Sequence, residues 1–120
     1  MDKEVKKWWE QAKEDIDSAK FNLEGGKYKV ASFLAQQAVE KALKALYIKK
    51  FKSLKKTHDL VSLAKELKLE QEIVQECKQL SPAYIYTRYP DVIPIKNIRE
   101  ESIRLVKIAE KILECLKEKI

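Results

Sequence analysis

The sequence predicts an all-α protein, an up-and-down antiparallel bundle of four to five helices in one domain covering residues 1–120. Three observations predict it. Apolar residues recur at steps of three and four along most of the chain, only two Gly and three Pro interrupt 120 residues, and 45% hydrophobic residues stand beside 37% charged ones. The spacing marks helices with one buried stripe, and the scarcity of turn formers argues against many short strands. The composition supplies a core under a charged surface, which excludes a disordered chain. The length suits a single domain and leaves no room for a second.

Val5, Trp8, Trp9, Ala12, Ile16, Ala19 and Leu23 form the apolar face of the first helix, which Gly25-Gly26 stops. A second helix is expected from about Tyr28 to about Lys50. Its Ala31, Leu34, Ala35, Ala38, Val39, Ala42, Leu43 and Leu46 make a stripe wide enough for more than one neighbour. The small alanines let another helix approach closely, within the bundle or across a dimer seam. Thr57 reads as the N-cap of a short third helix carrying Leu60, Leu63, Ala64 and Leu67. A fourth begins near Glu70 and carries Ile73, Val74, Cys77 and Leu80. Pro82 must kink or restart it, with Ser81 as the cap of the restart. Pro90 and Pro94 make residues 89–95 a loop. Asn97 and Glu100 form a capping arrangement for a last helix that buries Val106, Ala109, Leu113, Leu116 and Ile120.

Cys77 and Cys115 lie inside apolar helical stretches with no Cys-x-x-Cys pair, and both read as core thiols. Nothing calls for a metal or a cofactor. No apolar run approaches the roughly 18 residues of a membrane span, and the N-terminus lacks a signal-peptide core, so a cytoplasmic protein with no membrane partner is expected. The two Trp in the first turns and the wide stripe of the second helix suggest more apolar surface than one small bundle covers, hence a homodimer. The excess of 22 Lys over three Arg, with abundant Glu, fits a heat-adapted source.

The net charge of +6 is local. Between Lys41 and Lys56 there are seven lysines and no acidic residue. A basic patch of Lys49, Lys50, Lys52, Lys55 and Lys56 would attract phosphates or another polyanion. Its alternative is a solvated helix end whose lysines complement the helix dipole. The three arginines, Arg88, Arg99 and Arg104, come late, and Arg88 stands among Tyr84, Tyr86 and Tyr89. Arg offers a rigid fork for carboxylate or phosphate, and aromatic faces beside it can stack a base. The competing reading has the tyrosines packing the bundle and Arg88 pairing with a carboxylate near the last helix. His58, the single histidine, follows the cap and precedes Asp59. It is either a helix-start residue or a group for proton transfer or phosphate contact. On the second helix Gln36, Gln37, Glu40, Lys41 and Lys44 set polar groups at helical spacing, with Glu40 and Lys44 an i,i+4 pair. Such a strip is usually solvated surface, and otherwise lines a cleft or an interface.

Three signatures occur in order: Gln36-Gln37-Ala38-Val39-Glu40-Lys41-Ala42-Leu43-Lys44-Ala45, then Thr57-His58-Asp59-Leu60, then Arg88-Tyr89-Pro90. With the helix order they make the chain resemble HEPN-domain proteins over nearly its full length. The resemblance implies a bundle similar to the helical C-terminal domain of kanamycin nucleotidyltransferase, commonly dimeric. It also implies action beside a separate minimal nucleotidyltransferase, in a toxin-antitoxin-like pair, with nucleotide or RNA as ligand. Arg88, Tyr89, Tyr84, His58, Lys41 and Gln37 are then the candidate ligand-binding residues. Many HEPN proteins resemble metal-independent ribonucleases in which an Arg is followed four to six residues later by a His. Here Tyr-Pro-Asp-Val-Ile-Pro follows Arg88 and no His does. The chain is therefore not expected to be catalytic alone. A ribonuclease toxin with a degenerate Arg/His motif, using Arg88 and His58, and a purely structural helical partner are the alternatives. The first requires the fold to bring His58 to Arg88.

Overall fold

The computed structural model describes residues 2–89 and 97–120. These form α1 (Lys3–Glu24), α2 (Tyr28–Phe51), α3 (Leu60–Glu66), α4 (Gln71–Leu80), the single turn α5 (Ala83–Tyr86) and α6 (Ile98–Lys117). The expected loop at 89–95 lies, beyond Tyr89, outside the described residues. So does Pro90 of the Arg-Tyr-Pro signature.

The chain runs up and down. Asp2 caps α1 by accepting from the Glu4 amide at 2.8 Å. Gly26, at φ +77°, ends it in the left-handed region, with the Lys27 amide returning to the Asn22 carbonyl at 2.8 Å. That tight reversal lays α2 antiparallel against α1. A left-handed Lys52, φ 58°, closes α2. The short α3 follows, and α4 with α5 climbs back beside α6. Lys119 reaches Glu70 at one end of the α4/α6 contact and Arg104 bonds Gln79 at the other. α6 runs in the direction of α2. Ser102 Oγ donates to the Tyr28 carbonyl at 3.0 Å near the start of both, and Lys49 Nζ to the Ile120 carbonyl at 2.7 Å near their ends.

α2 is the axis of the bundle. Ala31, Ala35, Ala38, Val39, Ala42, Leu43 and Ala45 are fully buried, and the alanines admit α1 and α6 closely. Leu60, Leu63, Leu80, Leu105, Ile112 and Leu116 complete the core from the other helices.

Several local expectations are corrected. Asp59, not Thr57, is the N-cap of α3: its carboxylate accepts from the Ser62 amide at 3.1 Å, while Thr57 Oγ1 accepts from the Asp59 amide at 3.1 Å. The two form a short relay rather than one cap. Ser81 does not cap the restart but closes α4, its hydroxyl donating to the Cys77 carbonyl at 2.9 Å, and Pro82 heads α5. Asn97 heads α6 without a side-chain bond to the helix. Ile120 is only partly covered. Trp9 is buried and Trp8 partly covered, so the tryptophans leave little free apolar surface, and the exposed large apolar side chain of α1 is Phe21.

Cys115 is exposed while Cys77 is buried, because residue 115 falls on the outward side of α6 beside core residue Leu116. Burial pushes the Cys77 thiol up to about 12. A neutral aromatic disulfide reagent should therefore titrate one thiol rapidly in the folded protein and two after unfolding in guanidinium. Two rapid equivalents in native buffer would contradict this burial pattern.

Candidate functional site

Among the described residues six polar or charged side chains are buried, and four of them, Ser32, Gln36, Glu40 and Lys44, follow one another at steps of four along α2. They form a polar ridge beside the apolar stripe of the same helix. Glu40 is its centre. Its side chain is 5% exposed and receives Lys44 Nζ at 3.0 Å and Gln36 Nε2 at 3.5 Å. His58 Nδ1 lies 3.1 Å from each of its carboxylate oxygens. Lys44 Nζ also sits 5.6 Å from the centre of the Trp8 ring. The i,i+4 pair anticipated on α2 is thus present but buried, and the reading of this strip as solvated surface is corrected. A paired carboxylate with three donors satisfies the condition under which a charge survives inside a fold.

The segment before α3 brings His58 to this carboxylate, and α5 brings a ring to the other side of the histidine. Tyr84 stacks on His58 with ring centres 4.7 Å apart and planes 24° apart. The Arg88 guanidinium carbon lies 4.6 Å from the centre of the same Tyr84 ring. One turn of helix separates Tyr84 from Arg88, and Thr87 Oγ1 bonds back to the Ala83 carbonyl to hold that turn. Glu40, His58, Tyr84 and Arg88 therefore form one continuous array from the interior to the surface.

Beside Arg88 a groove of about 220 Å³ is lined by Lys29, Val30, Phe33 and Thr87. Its floor is apolar, with a second cation at the rim. Among the described residues no carboxylate pairs with Arg88. The structural pairing weighed for it is made instead by Arg104, which bonds Glu101 and Gln79. The array sets a guanidinium and an imidazole, both groups that bind anions, against one aromatic ring beside an apolar groove, and His58 can move a proton.

The other candidates are placed differently. Tyr89 is exposed just beyond the turn of α5. Gln37 donates to Gln36 Oε1 at 2.7 Å and so buttresses the ridge from outside. Lys41 turns away to Asp15 on α1 at 2.5 Å and joins helices rather than the array. The basic patch is partly neutralised. Lys49 binds the last carbonyls, Lys55 pairs with Glu66 at 2.6 Å, and Lys50 lies over the Phe51 ring. Lys52 and Lys56 remain exposed. Among the described residues no group of three His, Cys, Asp or Glu side chains could hold a metal ion, and no helix is long and apolar enough to cross a membrane. Glu40 and Gln36 stood in the polar strip noted in the sequence but not among the candidate ligand-binding residues. The signal was their phase: Glu40 stands three residues from core Leu43 and four from both Gln36 and Lys44.

The HEPN domain model matches residues 5–120. The chain belongs to the HEPN domain family. Solved structures agree. A protein of Thermus thermophilus is 33% identical with a TM-score of 0.87, the match covering 97% of this chain and 98% of that one. An archaeal HEPN homologue is 29% identical, TM-score 0.76, covering 98% of each. A HEPN domain protein of Thermotoga maritima is 28% identical, TM-score 0.74, over 92% of this chain and 94% of the other. No curated protein matches. In this bundle the α2 motif supplies Glu40 and the Thr-His-Asp-Leu motif supplies His58, while Arg88, which opens the third signature, follows Tyr84 by one turn.

The buried pair in this HEPN domain sets an expectation for stability. Lys44→Met should destabilise the fold by about 3 kcal/mol, since it strands a carboxylate in the interior. Adding Glu40→Gln should restore a large part of that loss. Urea unfolding of the single and double variants measures both, and additive losses would mean that the two charges do not depend on each other.

Proposed function

We propose that this HEPN protein is an interaction module that binds a phosphate-bearing ligand, a nucleotide or RNA, at the Arg88–Tyr84–His58 surface, acting as a homodimer with a separate minimal nucleotidyltransferase. The observation that carries the reading is that Arg88 and His58, thirty residues apart in sequence, meet on one Tyr84 ring. A guanidinium and an imidazole flanking an aromatic face suit a phosphate next to a base. Lys29 across the groove adds positive charge, and exposed Lys52 and Lys56 add weaker, salt-sensitive attraction along the segment that leads to His58. No nucleotidyltransferase site is built by the described residues of this chain, so that chemistry belongs to the partner. Exposed Val30 in the same groove, and exposed Ile85 and Tyr89 on and just beyond α5, support the dimer in place of the tryptophans. A solution mass of two chains at micromolar concentration is expected from sedimentation equilibrium, and a mass of one chain would remove the dimer from this proposal.

A second reading has its own observation. An imidazole oriented by a buried carboxylate, sharing the Tyr84 ring with an arginine, is the kit for general acid–base cleavage of RNA without metal. In that reading His58 takes the part of the histidine absent after Arg88.

Arg88→Lys tests both readings. Its side chain lies at the surface without a described carboxylate partner, so the melting temperature should hold. Retention of a short oligouridylate should weaken by about 1–3 kcal/mol as the fork geometry is lost. Lost stability with retention intact per folded molecule would end the case for Arg88 as a site residue. Release of shorter fragments from the oligonucleotide by the parent chain, abolished in the variant, would establish the second reading over the first.

A further inference from the structure

The nitrogen atoms of His58 are not equivalent. Nδ1 faces a carboxylate that is 5% exposed, at 3.1 Å from both oxygens, while the histidine side chain as a whole is 57% exposed. An ionised carboxylate only accepts, so the ring nitrogen against it must carry a hydrogen. The carboxylate is itself immobilised. Lys44 Nζ and Gln36 Nε2 donate to it from the same helix, and Gln37 ties down Gln36 Oε1 at 2.7 Å. With Tyr84 stacked on the ring, neither the plane nor the face of the imidazole is free to turn.

We propose that Glu40 is a positioning residue that locks His58 in the Nδ1–H form, so that Nε2 is the ring nitrogen presented to a ligand held by Arg88. This rests on the ligand-binding reading of the Arg88–Tyr84–His58 surface and deepens it. Nε2 accepts a hydrogen bond, or a proton, when the ring is neutral, and donates when the ring is charged. The rest of the ridge makes the assignment specific. Lys44 donates to Oε2 of Glu40 and Gln36 to Oε1, while Nδ1 is shared between the two oxygens. If Glu40 becomes Gln, one of those two acceptors becomes an NH₂ donor, so the demand for a hydrogen on Nδ1 is relaxed and the neutral ring is free to carry it on Nε2. The carboxylate–histidine pair thus sets a tautomer in the way that outer-shell carboxylates orient metal-bound and catalytic imidazoles.

The single histidine makes the test direct, because the imidazole ¹⁵N signals of the whole protein belong to His58 alone. In the free wild-type protein, with the ring neutral, the Nδ1–H form should dominate. In Glu40→Gln that dominance should be lost, with the Nε2–H form gaining population, and retention of a short oligouridylate should fall about tenfold or more, the loss expected from one misdirected hydrogen bond to a charged group. Circular dichroism and unfolding of the variant give the folded fraction to which retention is normalised. A wild-type ring in the Nε2–H form overturns the proposal, whether or not the variant folds. So does a variant that keeps the Nδ1–H form as fully as the parent chain, or one that loses it with retention unaltered. A wild-type protein that fails to retain the oligonucleotide at all sinks the ligand reading instead, while the tautomer of the free protein still decides the role of Glu40.

Discussion

The carboxylate of Glu40 is the constraint around which the rest is arranged. A charge removed from water must be matched by donors, and here they come from two directions. Lys44 and Gln36 answer from its own helix, and His58 from the segment that precedes α3. The contact from His58 fixes where the chain re-enters the bundle after the left-handed turn at Lys52. The relay from Thr57 to Asp59 to Ser62 then turns that entry directly into α3. Without the anchor, the stretch from Lys52 to Lys56, short of apolar residues apart from Leu54, has little to bind it to the core.

The same anchor shapes the outer half of the site. Once His58 is held edge-on by the carboxylate, its face is open to stacking, and Tyr84 occupies it. Tyr84 sits on a four-residue helix begun by Pro82 and held by the Thr87 side chain, so Arg88 emerges one turn later at the surface. Interior and surface are therefore linked through side chains from three segments, α2, the approach to α3, and the turn of α5. Sequence distance between them is spanned by contact alone.

Much of the bundle was legible because it depends on periodicity. The stripes of α1, α2, α4 and α6 and the Gly-Gly stop are written at steps that only a helix satisfies, and the family resemblance joined that helix order to one motif on α2 and two in the segments between helices. The array was legible in its parts but not as a whole. Arg88, Tyr84 and His58 stood out by rarity or by motif, yet nothing local in the sequence says that residues 58 and 84 stack. Burial of charge was the harder feature. Glu and Lys at i,i+4 normally face water, and only their phase with Ser32 and Gln36, next to core residues Val39 and Leu43, separates this pair from ordinary ones. Cap identity went astray for a related reason: Thr57, Asp59, Ser81 and Asn97 are all competent caps, and which one bonds a helix depends on how the chain arrives. Cys115 was misplaced by one position on the helical wheel relative to Leu116.

The ridge of Ser32, Gln36, Glu40 and Lys44 has a mechanical consequence. Apolar side chains on neighbouring helices are nearly interchangeable when one helix slides past another by a turn, since a leucine meets a leucine or an alanine either way. A sequence of four different polar groups is not. Sliding α2 by one turn, about 5.4 Å, would set Gln36 or Lys44 against His58 in place of Glu40, exchanging an acceptor for donors and leaving buried charge unmatched. The seam thus acts as a ratchet with a single seated position. It makes α2 an indexed shaft, on which the distance between the groove at Lys29 and the turn at Lys52 is fixed by chemistry rather than by close packing alone.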